Sequence, residues 1–254
     1  SIRRAASDVY KRQDLSVGES MIYSDKLELL YLMPVMFYRL ADHHLSRQVN
    51  AAGGNAQLFF AASSKGQIKN THLYGTLFID EITISGLFDS YKQRNQLGFT
   101  FGGSVTDLPI ENLTATIEYT KIYPFVYRHY IQTKDYQSAG YSLGHWMGHN
   151  ADLVYGSLNY RIIRGLQATI FGQYIRKGGD GNVQQQYNIQ PQPSFLFGLR
   201  KNYSYFGAEI KYEYTHELFA KLNYQSSSSS IQQDDFSYVD KTLNEFYFSI
   251  YYGL

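Results

Sequence analysis

The sequence predicts an all-β chain: an incomplete antiparallel transmembrane β-barrel with short turns at one end and long loops at the other. Three observations carry this expectation. Apolar and polar residues alternate with a period of two in block after block, the mark of a strand with one apolar face. Each block runs about ten residues, the length that crosses a bilayer at a tilt. The connections alternate between very short and long, as periplasmic turns and external loops do in bacterial barrels.

The composition agrees. The 254 residues include 25 Tyr, 16 Phe and 21 Gly, against one Trp, 5 Pro and no Cys. Aromatic side chains suit a pleated surface. Without Cys there is neither a disulfide framework nor a thiolate metal site. A net charge of +1 without a strong basic run leaves no electrostatic footprint for nucleic acid. The most apolar stretch, Leu27–Tyr38, covers 12 residues and contains Glu28 and Pro34. A spanning helix needs about 20 predominantly apolar residues.

Taken in order, residues 1–13 (SIRRAASDVYKRQ) have no apolar core and no cleavage pattern, so they are no signal peptide. SDVYKRQ is similar to translated adapter sequence. Residues 1–13 are therefore set apart as a non-native or disordered leader, and 14–254 as the barrel domain. Strands are expected at 14–24, 27–38, 55–64, 71–82, 95–106, 113–123, 151–163, 166–177, 195–214, 218–226 and 243–254. The alternation is clearest at Leu97, Phe99, Phe101, Gly103 and Val105, at Leu113, Ala115, Ile117 and Tyr119, and at Phe206, Ala208, Ile210, Tyr212 and Tyr214. Tyr closes the apolar face of several blocks (Tyr119, Tyr174, Tyr214, Tyr224), as in an interfacial girdle. Gly and Ala recur on that face, which lipid tolerates and a packed core would find underfilled.

The last block, Asn244–Leu254 (NEFYFSIYYGL), puts Phe246, Phe248, Ile250, Tyr252 and Leu254 on one face. It resembles the closing strand by which barrels are handed to their assembly machinery. Counting back from a strand that ends in the periplasm places 65–70, 107–112, 164–165 and 215–217 on the periplasmic side. The long links 39–54, 83–94, 124–150, 178–194 and 227–242 then lie outside. The count is eleven with 14–24 running downward. Single-chain bacterial barrels have even strand numbers, so at least one strand is expected to be missing.

Catalytic signatures are scarce. His216-Glu217 opens like HExxH, but no second His follows. There is no GxSxG, Walker loop or GxGxxG, and Gly178–Gly181 is a loop tip. No enzyme activity and no cofactor are expected. His145 and His149 stand four apart with His129 in the same loop. Exposed loop histidines account for them better than a metal site, because no carboxylate or Cys partner accompanies them. Ser226–Ser230 is expected to be flexible loop. Loop 124–150 is the most distinctive stretch, carrying Tyr127, Arg128, His129, Tyr130, Tyr136, Tyr141, His145, Trp146 and His149. It is long enough to be functional and too aromatic for disorder. Aromatic faces beside polar groups suit a sugar chain. A lid folded over a barrel mouth is the competing reading.

Three ordered blocks carry a family resemblance: Leu27–His44 (LELLYLMPVMFYRLADHH), Leu73–Glu81 (LYGTLFIDE), and Tyr123–Gly148 followed by Tyr174–Gly178 (YIRKG). Together they resemble the capsule assembly Wzi family, especially its Bacteroidetes relatives, some described with gliding motility. Where relatives show an acidic residue before "NALLG", this chain has Ala52–Leu58 (AGGNAQL), a departure that leaves that loop without a carried-over role. The resemblance implies a barrel of roughly eighteen strands, an outer-membrane location and association with surface polysaccharide. The expected polysaccharide contacts are Tyr127, Arg128, His129, Tyr141, His145 and Trp146. Expected partners are outer-membrane lipid, surface polysaccharide and, through the last strand, the barrel assembly machinery. A passive porin, with lumen groups such as Glu118, Glu209, Lys211 and Glu213, is the alternative. A barrel hydrolase or acyltransferase would need a Ser/His/carboxylate cluster that nothing here supplies.

Overall fold

The computed structural model describes residues 2–10, 12–23, 37–38, 54–82, 95–107 and 109–253. Eleven strands form one antiparallel sheet, each paired with its sequence neighbours. They are β1 (Ile2–Tyr10), β2 (Gln13–Ile22), β3 (Asn55–Lys65), β4 (Thr71–Glu81), β5 (Gln96–Thr106) and β6 (Leu113–Ile122), then β9 (Ala151–Ile163), β10 (Leu166–Lys177), β11 (Lys201–Thr215), β12 (Leu218–Gln232) and β13 (Tyr238–Tyr252). Between β6 and β9 lies a two-strand ribbon, β7 (Gln137–Ser138) with β8 (Tyr141–Ser142). A single short turn of α-helix, α1, stands at Gln184–Asn188. The order runs from β1 to β13 without a pairing between the two ends.

Most expected strands stand within a residue or two of their sequence bounds, and four expectations need correction. Within the stretch set apart as a leader, Ile2–Tyr10 form a strand: β1 pairs with β2 from Ile2↔Met21 to Tyr10↔Gln13. Backbone pairing asks little of side chains, so a segment with no apolar core can still extend a sheet. The expected strand 27–38 lies outside the described residues apart from Phe37 and Tyr38, as does most of the Leu27–His44 block. In the sheet β2 and β3 pair directly and antiparallel. β2 therefore runs opposite to β3, which reverses the direction expected for 14–24. The expected strand 195–214 begins only at Lys201, its first residues belonging to the loop before it. Ser226–Ser230 is strand rather than loop: β12 continues to Gln232 and meets β13 across a five-residue link, 233–237. Serine has no apolar surface to bury, so periodicity cannot see it, yet Ser228 and Thr242 hydroxyls meet at 3.0 Å across the ladder.

The ladder registers sort the side chains into two faces. Leu97, Phe99, Phe101, Ile117, Leu158, Ile170, Ile210, Leu222, Phe248 and Ile250 all fall on one face. This apolar face is open: Phe101, Ile117, Phe248 and Ile250 are each at least 60% exposed. A soluble monomer rarely leaves so large a contiguous apolar area uncovered. The other face is polar. It carries Tyr74 bonded to Glu118 (2.6 Å), Thr100 against Thr120 (2.8 Å), Asn159 to Thr169 (2.6 Å) and the Lys221–Glu209 pair (2.5 Å).

The apolar zone is slanted across the sheet. The cross-strand row through Ala62 passes Gly75, Phe101, Tyr119, Val154, Tyr174, Ser204 and Ser228 to reach Thr242 on β13. On β3 that row is the last apolar one before Ser64, whereas on β13 the apolar residues run on to Tyr252, ten residues further. Ten residues at ~3.3 Å over eight strand spacings of ~4.8 Å make a slant of about 40°. At the other end the boundary descends in the same sense. On β13 and β12 the apolar face stops at Phe246 and Tyr224, and beyond it the rows Ser226/Asn244, Ser228/Thr242 and Ser230/Asp240 are polar.

Candidate functional site: two long loops folded against the polar face

The sheet's links are short at one end and, except for 233–237, long at the other. At the short end, Arg164–Gly165 turns β9 into β10. Gly165 has φ +82°, and a Cβ there would stand 2.7 Å from the Glu213 carbonyl oxygen, so only glycine fits. At the long end, 123–150 and 178–200 fold back onto the polar face. Val126 and Met147 of the first loop pack with Ile122, Ala151, Leu153 and Ile175 of the strands into the main buried cluster, with Phe78, Tyr123, Tyr127, Tyr203 and Tyr205 against it.

Polar groups of the strands hold the loop. Asp80 Oδ2 accepts the Tyr127 N–H at 2.8 Å, and its Oδ1 accepts Gln57 Nε2 at 3.3 Å. Asn55 Nδ2 donates to the Lys134 carbonyl (3.1 Å), and the Ser20 hydroxyl lies 3.4 Å from that of Tyr136. These strand groups are buried, although the alternating pattern would leave them facing water. The loop covers them and satisfies their hydrogen bonds.

Asn150, fully buried, ties the two loops together. Its Oδ1 accepts the Leu196 N–H at 2.7 Å, and its Nδ2 donates to the carbonyls of Gly179 (2.8 Å) and Phe197 (3.1 Å). His149 is also buried. Its ring stacks on Phe125 at 6.1 Å, and its Nδ1 accepts the Phe125 N–H at 3.2 Å. Burial, with the cations of Lys177 and Arg128 nearby, pushes its pKa down to about 4. The imidazole is therefore neutral, as the accepted hydrogen bond requires. Gln96 bonds to Gln186 and Tyr187 donates to Glu81 (3.0 Å), anchoring α1 to the strands.

The six expected contact residues divide into three settings. Tyr127 is a packing anchor: its ring stacks on Tyr136 at 5.7 Å and meets Phe78 at 5.2 Å, and its hydroxyl accepts the His145 N–H at 3.2 Å. Burial raises its phenol pKa to about 12. Arg128 and His129 line an open cleft of about 360 Å³ with Tyr130, Gln132, Asp135 and residues 181–184 of the second loop. Asp135 organises its rim, 3.5 Å from Arg128 Nε and accepting the His129 N–H at 2.7 Å. Tyr141, on β8, and Trp146 are largely exposed, and Trp146 stacks on half-buried His145 at 5.6 Å. The cleft thus contains two of the six. Gln132, Asp135, Asn182 and Gln184 were not singled out by sequence. Asn182 and Gln184 join it because Asn150 and the anchors of α1 hold the second loop beside the first, pairings with no local signal. Among the described residues no group of three or more His, Asp or Glu is placed to hold a metal ion. His145 Nδ1 is occupied by the Met147 N–H at 3.3 Å.

No family model matches the chain, and no curated protein matches it. A solved structure similar to it is the FrpB iron transporter from Neisseria meningitidis (F3-3 variant), at 8% identity and a TM-score of 0.46. The match covers 98% of this chain and 42% of that one, so the chain spans less than half of that structure's length.

Proposed function

We propose that this chain forms part of the wall of an outer-membrane β-barrel whose long external loops fold into the mouth and bind surface polysaccharide without catalysis. The slanted apolar face carries the membrane part of the reading. Strands in outer-membrane barrels tilt by about 35–45° and carry an outward apolar band about 25 Å tall. A level hydrocarbon slab seen by such strands is a band oblique to the hydrogen-bonding rows, and here the obliquity is about 40°. On β9 the face runs from Val154 to Ile162, roughly 25 Å along the strand and about 20 Å in height at that tilt.

The polysaccharide part rests on the loop chemistry and on the resemblance to the Wzi family. The cleft offers Arg128, Gln132, Asp135, Asn182 and Gln184 as hydrogen-bonding groups, with Tyr130 at its edge. Trp146 and Tyr141 stand outside it as exposed stacking faces. The buried polar network beneath explains the rest of the loop as a lid that holds these groups in place. A freely open porin is disfavoured by that inward packing. The test uses the protein in detergent with purified capsular polysaccharide. Trp146→Ala should fold normally, since the ring is 64% exposed, and bind capsule several-fold more weakly. Unchanged retention in both Trp146→Ala and Arg128→Gln would remove the loops from any sugar site.

A further inference from the structure

The apolar face has a local hollow. In one cross-strand row Ile117, Gly156, Gly172 and Phe206 stand side by side on β6, β9, β10 and β11. An added Cβ at Gly156 would have only the Thr116 carbonyl oxygen within reach, at 3.8 Å, and at Gly172 only that of Tyr205, at 3.7 Å. Among the described residues nothing covers either position. The two glycines floor a groove of about 610 Å³, walled by Leu73, Ile117, Leu158, Ile170 and Phe206. That volume is in the range of ligand pockets.

The next two rows toward the long-loop end give the groove a direction. Directly above the glycines is Tyr119–Val154–Tyr174, and above that Lys121–Asp152–Arg176. Asp152 is 3% exposed and is held by Arg176 Nε at 2.9 Å and Nη2 at 2.5 Å and by the Tyr119 hydroxyl at 3.1 Å. One carboxylate therefore answers two cations, and the row keeps a net positive charge. Arg176 leaves half of its side chain exposed. The Lys121 ammonium lies over the rings of Tyr123 (4.5 Å) and Phe195 (4.2 Å), which fix its position without neutralising it. Cations, then amphipathic rings, then an uncovered apolar groove follow one another along the strands, in the order of a lipid's anionic headgroup, interfacial region and chain.

We propose that this column seats one phosphorylated membrane lipid, with its phosphate on Lys121 and Arg176 and an acyl chain lying over Gly156 and Gly172. The seat rests on the membrane reading above. Charge complementarity selects the occupant: a zwitterionic lipid gains less from the uncompensated cation, and an apolar protein segment gains nothing from it.

The experiment places the whole chain in phosphatidylcholine bilayers with spin-labelled phosphatidylglycerol or spin-labelled phosphatidylcholine and measures the motionally restricted lipid of each kind. The protein should restrict phosphatidylglycerol several-fold more strongly than phosphatidylcholine. Lys121→Gln, which leaves the Arg176–Asp152 pair intact, should abolish most of that preference, and Lys121→Arg should keep it. Gly156→Val with Gly172→Val should lower the restricted phosphatidylglycerol to the phosphatidylcholine level by filling the groove. A preference indifferent to Lys121→Gln overturns the seat. So does one lost in Lys121→Gln but untouched by the glycine variants, because headgroup attraction alone would then account for it. Loss of the preference on adding inorganic phosphate at unchanged ionic strength would assign the cations to free phosphate and also overturn it. Absence of restricted lipid of either kind would instead sink the membrane reading.

Discussion

Acid should loosen the loop that fills the long-loop end of the sheet, and His149 sets the size of the effect. Its ring is buried against Phe125, accepts that residue's N–H, and faces Lys177 and Arg128, with Asp180 the nearby anion. In an opened loop the imidazole would titrate near its ordinary ~6.5; folded, it titrates near 4. The folded state therefore binds fewer protons between those values. Its stability is complete above about 6.5 and declines as the pH falls toward 4. With those two values the loss is roughly 2 kcal/mol by pH 5, about a thirty-fold rise in the open fraction. Burial also lowers the pKa of His145, which adds to the effect in the same direction. Amide hydrogen exchange across 123–150, corrected for the intrinsic pH dependence, reads this directly. His149→Gln supplies an uncharged acceptor for the Phe125 N–H, and together with His145→Gln it should flatten the dependence. Equal protection of the parent at pH 7.5 and pH 5, or an undiminished dependence in the double variant, would refute the assignment.

Two further outcomes follow from the same architecture. Ile170→Lys, in the middle of the exposed apolar face, should cost about 2–4 kcal/mol in urea-controlled refolding into lipid vesicles. For a water-facing position the same change would be neutral or helpful, and that result would oppose membrane insertion. Asn150→Ala removes one acceptor and one two-way donor from a fully buried junction and should cost about 2–5 kcal/mol. Hydrogen exchange should show residues 178–200 released first; unchanged protection there would mean that the loops stand independently.

What could be read from the sequence was what depends on neighbours along the chain. β5, β6, β9 and β10 alternate so regularly that their bounds and faces follow from periodicity alone, and the register places those faces as the alternation implies. The serine run of β12 and the basic start of β1 were hidden, because those strands exist through pairing with a partner rather than through an apolar stripe. The loops show the same division. Aromatic density marked 123–150 as ordered, but its packing against the polar face depends on Asp80, Gln57, Asn55 and Ser20. Those residues sit on three other strands and look like ordinary polar positions until the loop descends on them.

The long β12–β13 hairpin has a consequence for how the molecule would meet its surroundings. From Tyr238 to Glu245 its outward residues are largely polar, and the apolar face begins only at Phe246. Eight residues at a tilt near 40° lift the hairpin tip roughly 20 Å above the apolar band, whereas β5 ends level with it. In an inserted barrel this makes a fence on that side of the mouth. The fence post, Gln233–Ser237, would be the part of the chain that a large probe meets before the lipid surface. A peptide tag placed there should be reached by antibody on intact cells without disturbing the cleft.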